Sequence, residues 1–168
     1  MKNHISALIV FSVFFSVLAL RPSTAISAQP YDALNGVKKV ETIFDFRDGR
    51  PGSALSHLTL VHATYKDQAV RDVAENPRFV VVFMDKSVML LSSDRKGFTA
   101  DQQKALKELD KVISALVKDG VKLEVCQVAA NYYNVDLQTI SNEIERVPNG
   151  WIASLGWQSK GYALVPAY

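Results

Sequence analysis

The chain has 168 residues, of which 48% are hydrophobic, with nineteen Lys and Arg against seventeen Asp and Glu. This length predicts one globular domain once any targeting segment is removed. The formal net charge of +2 comes from Lys2 and Arg21, because residues 1–28 contain no acid. Without them the bases and acids balance. That balance argues against a nucleic-acid partner, because phosphate binding needs a surplus of Lys and Arg.

Residues 1–28 are typical of a secretory signal peptide. Lys2 supplies positive charge, and residues 5–20 form an apolar run that is shorter than the roughly 20 residues needed to span a bilayer. Small residues then precede two possible cleavage points, after Ala25 and after Ala28. We therefore expect a periplasmic or secreted protein that has no membrane contact after cleavage. The alternative is an uncleaved membrane anchor. Residues 29–168 are expected to form a single α/β domain.

Apolar runs alternate with helical patterns along the rest of the chain, as they do in βαβ units. Residues 40–46 predict a strand, and the break at residues 48–52 precedes a helix that Ser53 would cap. Side chains that recur at spacings of three and four define the buried face of this helix. They are Leu55, Leu58, His62, Tyr65, Ala69 and Val73. The helix is expected to end at residues 76–77, Asn-Pro.

The middle of the chain carries the clearest patterns. Residues 79–84 are continuously apolar between turn residues, which is typical of a central strand covered on both faces. Residues 88–91 predict one helical turn beside the end of that strand. Residues 99–119 predict the longest helix, which begins with a capping box between Thr99 and Gln102 and ends at Gly120.

The last third predicts three more strands and two helices. Residues 121–125 alternate in polarity, so we expect a strand with one buried face or a place at the sheet edge. Cys126 follows at once, and residues 127–133 predict a helix. The remaining segments are a weak strand at 144–147, a helix at 151–159 and a terminal strand at 162–165. The whole order predicts a three-layer α/β fold, with a five-stranded, mostly parallel sheet and helices on both faces.

Several familiar site motifs are absent from the sequence. It contains no GxGxxG, GxxxxGK[ST], GxSxG or CxxC, so the usual nucleotide, hydrolase and dithiol functions lose their main support. From residue 29 onwards it has one cysteine and two histidines, His57 and His62, too few for a closed zinc site. We therefore expect neither a metal nor a cofactor. His62 is expected to be a core histidine whose ring nitrogens are hydrogen-bonded.

Cys126 is the single cysteine, so it cannot form a disulfide within the chain. It lies where a strand ends and a helix begins. Functional groups collect at the carboxyl ends of parallel strands, and N–H groups at a helix start favour thiolate over thiol. The thiolate is the nucleophile, so the position predicts sulfur transfer or thiol exchange at an accessible sulfur. The alternative is a small buried side chain that only packs, as most lone cysteines do.

The run GVKLEVCQVAA, residues 120–130, followed by Val135 and Asp136, resembles the core of the DsrE/DsrF-like sulfur-relay family. That core is a strand, a cysteine at its end, a helix of small residues and a short acidic turn. Three other stretches are similar to the same family: residues 79–91, 147–150 (VPNG) and 155–162 (LGWQSKGY). The resemblance covers roughly residues 38–168, and it rests on the order of the parts with Cys126 in register.

The resemblance implies a compact three-layer fold, a homotrimer or hexamer, and a persulfide carried on a cysteine, here Cys126 alone. Two features depart from the family pattern. Characterised members are mostly cytoplasmic, and many have glycine or histidine where this chain has Asp85, Lys86 and Ser87. The Asp85 carboxylate would oppose a thiolate charge, whereas the Lys86 ammonium would favour it.

Residues and resemblance together predict an exported DsrE-like protein that binds or relays sulfur through a persulfide on Cys126. A sulfane donor would load the thiolate, the Gln127 and Val128 amides would stabilise the anion, and a thiol of a donor or acceptor protein would complete the exchange. Asp85, Lys86 and Gln127 are the expected substrate contacts. The alternative is a non-catalytic oligomeric binding module of the same fold, in which Cys126 only packs.

Overall fold

A computed structural model describes residues 31–168, so the expected signal peptide and its cleavage points lie outside the described residues. Five strands form one sheet in the order β4-β3-β2-β1-β5, and every neighbouring pair is parallel. The strands are β1 Glu41–Phe46, β2 Arg78–Phe83, β3 Lys122–Cys126, β4 Glu145–Val147 and β5 Ala163–Ala167. The α/β fold is confirmed, and its sheet is parallel throughout.

Five α-helices and three short 3-10 helices connect the strands. The α-helices are α1 Pro51–Lys66, α2 Gln68–Val73, α3 Ala100–Lys118, α4 Gln127–Tyr132 and α5 Gly150–Ser159, and the 3-10 helices are Asp32–Leu34, Asp85–Leu91 and Leu137–Thr139. Tyr65 of α1 packs edge-on against Phe79 of β2 on one face of the sheet. Trp157 of α5 reaches Glu124 of β3 on the other face. The helices therefore cover both faces, as expected.

The strand β2 is the middle strand, as its apolar run predicts. It pairs with β1 on one side and β3 on the other, and Val81 and Val82 are fully buried. Branched and aromatic side chains suit this position because both sheet faces are covered. The 3-10 helix Asp85–Leu91 then replaces the single turn expected at residues 88–91.

Helix α3 also agrees with its sequence pattern. The Thr99 hydroxyl accepts a hydrogen bond from the Gln102 amide, and the Gln102 side chain accepts one from the Thr99 amide at 2.9 Å. Four apolar side chains at helical spacing are buried: Leu106, Leu109, Ile113 and Leu116. Gly120 follows with a φ of +87°, a left-handed conformation that glycine adopts without strain.

The first helical region differs from the sequence prediction. Helix α1 begins at Pro51 with Arg50 as its N-cap, so Ser53 lies inside the helix and caps nothing. The chain becomes extended at Asp67, whose carboxylate accepts a hydrogen bond from the Ala69 amide and starts α2. A single stripe therefore does not continue to residue 73. His62 is partly buried, and its Nε2 lies 2.7 Å from Asp119 Oδ2.

The expectation that the strand at residues 121–125 is an edge strand or has only one buried face is wrong. Strand β3 lies between β2 and β4, and Glu124 on its polar face is only 3% exposed. Burial raises the pKa of Glu124, while a hydrogen bond from the Trp157 indole and the nearby Lys122 ammonium lower it. The alternation is real, but α5 covers the polar face because Trp157 Nε1 donates to the carboxylate. Within residues 31–168 no helix is long and apolar enough to cross a membrane.

Candidate functional site

The structure confirms that Cys126 stands at a strand-to-helix junction. It is the last residue of β3 and the N-cap of α4. Its Sγ accepts hydrogen bonds from the Ala129 amide at 3.4 Å and from the Gly150 amide at 3.1 Å. We expected the Gln127 and Val128 amides to donate. The structure instead shows the amides of Ala129, within α4, and of Gly150, at the start of α5. Two backbone N–H groups from two different helices therefore converge on one sulfur.

Gly150 brings the α5 amide to the sulfur because it has no side chain. A Cβ at this position would lie 2.6 Å from Met84 Cγ and Sδ and 3.0 Å from Cys126 Cβ. Asn149 caps the same helix, since its Oδ1 accepts a hydrogen bond from the Trp151 amide at 2.9 Å. The sequence has an Asn-Gly pair before a helix, to which our sequence analysis gave no role at the site. The amide donor from Gly150 was therefore missed.

A cavity of about 530 Å³ lies beside Cys126, where the carboxyl ends of β1, β2 and β3 meet the starts of α4 and α5. Its wall includes the sulfur, three aromatic rings and two opposite charges. These side chains are Cys126, Tyr132, Tyr133, Trp151, Arg47 and Asp85. Cys126 itself is only 5% exposed, and it is one of the residues that line this cavity.

The two charged groups of the cavity are held differently. Asp45 accepts hydrogen bonds from Arg47 Nε and Nη2 at 2.8 to 3.0 Å, and these bonds chiefly raise the pKa of the guanidinium, with a smaller contribution from Asp85. The Asp85 carboxylate accepts a hydrogen bond from the Tyr133 hydroxyl, which raises the pKa of Tyr133 to about 12. Asp85 also has a left-handed backbone with a φ of +52°. This conformation is uncommon outside glycine, and Asp and Asn tolerate it best.

Of the expected substrate contacts, the structure brings only Asp85 to the cavity. Lys86 is exposed and does not line it, and its backbone packs beneath Gly49. Gln127 is half-buried and does not line it either. The cation that does line it is Arg47, which our sequence reasoning missed. Arg47 directly follows a predicted strand, so the same rule that selected Cys126 selects it.

The rim of the cavity is apolar and open to solvent. Tyr132 is 77% exposed and Trp151 is 70% exposed, and Val128 on the same side of α4 is more than half exposed. Ile152 and Leu155 extend this surface along α5. Among residues 31–168 no group of three or more His, Cys, Asp and Glu side chains is placed to hold a metal ion.

The model of the DsrE/DsrF-like family matches residues 45–166. The chain belongs to this family. Its cysteine junction, the strands β2 to β4 and α5 fall within the matched residues, which also include the end of β1 and most of β5. Family membership suggests a fold of the sulfur-relay type. The chain contains one cysteine, Cys126.

This DsrE-like chain is similar to proteins found by sequence and to solved structures found by fold. An uncharacterized protein from Aquifex aeolicus is 23% identical over 128 residues, which are 76% of this chain and 56% of that protein. The chain thus spans little more than half the length of that relative. A protein of unknown function from Methanobacterium thermoautotrophicum shares the fold, with a TM-score of 0.59 and 17% identity over 76% of this chain and 99% of that one. The ychN protein from E. coli has a TM-score of 0.49, 13% identity and the same two coverages.

Proposed function

We propose that this DsrE-like protein carries sulfur as a persulfide on Cys126. The observation that supports this function best is the placement of Cys126 Sγ in the cavity wall, with the Ala129 and Gly150 amides donating to it. Two backbone N–H groups thus meet this sulfur, and the cavity that Cys126 lines is large enough for a reaction partner. A cysteine that only filled the core would face other side chains there.

The transfer is a thiol exchange at sulfane sulfur. The Cys126 thiolate attacks the outer sulfur of a donor R–S–SH and forms a new S–S bond with its own electron pair. The donor S–S bond breaks, its electron pair leaves on R–S⁻, and the proton stays on the transferred sulfur. No electrons enter or leave, so no cofactor is required. Discharge is the same reaction in reverse, with an acceptor thiolate attacking the outer sulfur on Cys126.

One observation favours the alternative of a non-catalytic binding module. Cys126 is 5% exposed, and most buried lone cysteines only pack. The two functions differ in one chemical property. A persulfide site reacts while the chain is folded, whereas a packing cysteine reacts only after the chain unfolds.

Loading and discharge can be followed by intact-protein mass spectrometry. The folded mature chain is exposed to inorganic polysulfide, desalted, and then given an excess of a small thiol. We expect one added sulfur atom that the thiol removes. Cys126→Ser, a nearly isosteric change, should fold normally and gain nothing. If the wild type gains no sulfur while folded but gains it in denaturant, Cys126 is a packing residue.

We propose self-association through the apolar surface around α5. Ile152 and Leu155 are 68% and 66% exposed on a helix that also presents Trp151, and exposed apolar patches of this kind mark interfaces. Light scattering should give three subunits or a multiple of three. Leu155→Lys should lower that mass, whereas Leu60→Lys, at an equally exposed site on α1, should leave it unchanged. A monomeric wild type would contradict the proposal.

We also propose export, which the sequence of residues 1–28 supports. Mass spectrometry of the protein from its native host should find an N-terminus at Ile26 or Gln29. A soluble cytoplasmic chain that retains Met1 would refute export without touching the chemistry proposed for Cys126.

A further inference from the structure

The burial of Cys126 restricts what can deliver sulfur to it. The sulfur lies in the wall of a cavity of about 530 Å³ whose rim is formed by Tyr132 and Trp151. A cysteine on the surface of a folded partner would have to pass this rim on an extended arm. A small organic molecule of amino-acid size enters such a space whole. The geometry therefore favours a free small-molecule donor over a protein thiol.

The charges in the cavity indicate what such a donor carries. Within residues 31–168 no Lys, Arg or His nitrogen lies within 4.0 Å of the Asp85 carboxylate, whose contact is the neutral Tyr133 hydroxyl. Arg47 uses its Nε and Nη2 to bind Asp45, and its Nη1 has no hydrogen-bond partner among the same residues. The cavity thus offers one carboxylate that lacks a cation and one guanidinium nitrogen that lacks an acceptor.

We infer that the sulfur donor is the persulfide of a small zwitterionic amino thiol, whose ammonium binds Asp85 and whose carboxylate binds Arg47 Nη1. This inference rests on the persulfide function proposed above. Arg47 and Asp85 follow neighbouring strands, β1 and β2, so they stand on one side of the cavity. Tyr132 and Trp151 on the other side contact the carbon chain. The head group is thereby held away from Cys126, and the outer sulfur is directed towards it.

Asp85 contributes most to this selection. The Asp45 carboxylate offsets the Arg47 charge, so the net charge of these three groups is negative and favours a donor with a cationic group. Asp85 is exposed, and an ion pair with an exposed carboxylate contributes up to about fivefold to binding. We therefore expect a donor with both an ammonium and a carboxylate group to bind best. A donor with only an ammonium group should bind less tightly, and one with only a carboxylate group should bind most weakly.

Three matched donors test this order: the persulfides of cysteine, of cysteamine and of N-acetylcysteine. Each loading rate on the folded chain is divided by the rate of the same donor on an unstructured cysteine peptide, which removes differences in intrinsic reactivity. Cysteine persulfide should load Cys126 up to about fivefold faster than N-acetylcysteine persulfide, with cysteamine persulfide between them. Calorimetry with S-methylcysteine and its N-acetyl derivative should show the same preference without any reaction.

Asp85→Asn is the decisive variant, because Asn also tolerates a left-handed backbone and still accepts a hydrogen bond from Tyr133. It should abolish the advantage of the two ammonium donors. Asp101→Asn removes an equal charge from the exposed first turn of α3 and should keep the wild-type order. Equal normalised rates for all three donors, or an unchanged order in Asp85→Asn, would overturn the inference. If inorganic polysulfide still loads Cys126 in that case, the persulfide function stands. If no donor loads the folded chain, the function fails as well.

Discussion

The contact between α5 and Cys126 can be broken by one methyl group. In Gly150→Ala the new Cβ would lie 2.6 Å from Met84 Cγ and Sδ, where ordinary contacts begin at about 3.4 Å. The flexible Met84 side chain can turn towards the cavity that it lines, but the new Cβ would also lie 3.0 Å from Cys126 Cβ, which β3 holds in place. The start of α5 must therefore shift away from the sheet. That shift lengthens the 3.1 Å hydrogen bond from the Gly150 amide to Cys126 Sγ.

The energetic cost of Gly150→Ala has three parts. Overpacking of a buried site costs about 1–3 kcal/mol. Loss of the hydrogen bond to sulfur adds about 1 kcal/mol. The alanine itself returns about 0.5–1 kcal/mol, because it loses less backbone entropy on folding than glycine. We therefore expect the free energy of unfolding to fall by about 2 kcal/mol. Alkylation of Cys126 in the folded chain should also slow, because one of two donors to the thiolate is lost.

The matched control lies in the same helix. A Cβ at Gly156 would meet nothing within 4 Å, so Gly156→Ala should raise stability by about 0.5–1 kcal/mol and leave alkylation unchanged. Urea unfolding and the alkylation rate at pH 7 measure both effects. If the two variants behave alike in both assays, the start of α5 is not held against the sulfur, and the Gly150 amide has no special role.

Three further changes test the fold around the site. Val81→Asp places an unpaired charge on the fully buried central strand and should cost several kcal/mol, so a nearly unchanged melting temperature would contradict the strand order. Thr99→Ala removes the capping box and should lower the free energy of unfolding by about 1 kcal/mol in urea. An unchanged value would mean that other groups accept the hydrogen bonds of the N–H groups at the start of α3. Burial raises the pKa of Glu124, so protonation of its carboxyl group stabilises the folded state. This contribution to the free energy of unfolding is complete below about pH 4 and is lost as the pH rises through the pKa of Glu124 in the folded state. Glu124→Gln should therefore be more stable than wild type at pH 7, with a difference that shrinks on acidification, and a constant difference would argue against a buried charge.

The sequence predicted the elements whose signals are local. The apolar run of β2 and the capping box of α3 each express one physical rule in neighbouring residues, and both are present. The end of α1 was missed because Asp67 competes for the backbone as an N-cap within an otherwise continuous helical pattern. The burial of β3 was missed because its partner is distant. Trp157, 33 residues further on, donates the hydrogen bonds that satisfy the Glu124 carboxylate in the interior.

In the candidate site, too, the sequence predicted the local features and missed the contacts between distant segments. The junction at Cys126 is a local feature of one strand and one helix, so the sequence predicted it. Asp85 was predicted as well, because it follows the neighbouring strand β2. The Gly150 amide was not predicted, because nothing near residue 126 indicates which later segment returns to it. Lys86 and Gln127 adjoin Asp85 and Cys126 in the sequence but line no part of the cavity. Sequence neighbours of a site residue share its element, and the direction of each side chain depends on packing.

The reactivity of Cys126 in the folded chain tests the central claim most directly. The mature protein is treated at pH 7 with iodoacetamide, a small neutral reagent that fits the cavity, and the alkylated fraction is followed by mass spectrometry with and without denaturant. The account predicts complete alkylation of the native protein, because Cys126 lines a cavity that this reagent can enter. Alkylation that appears only in denaturant would show that Cys126 is a packing residue and would contradict the proposed sulfur chemistry.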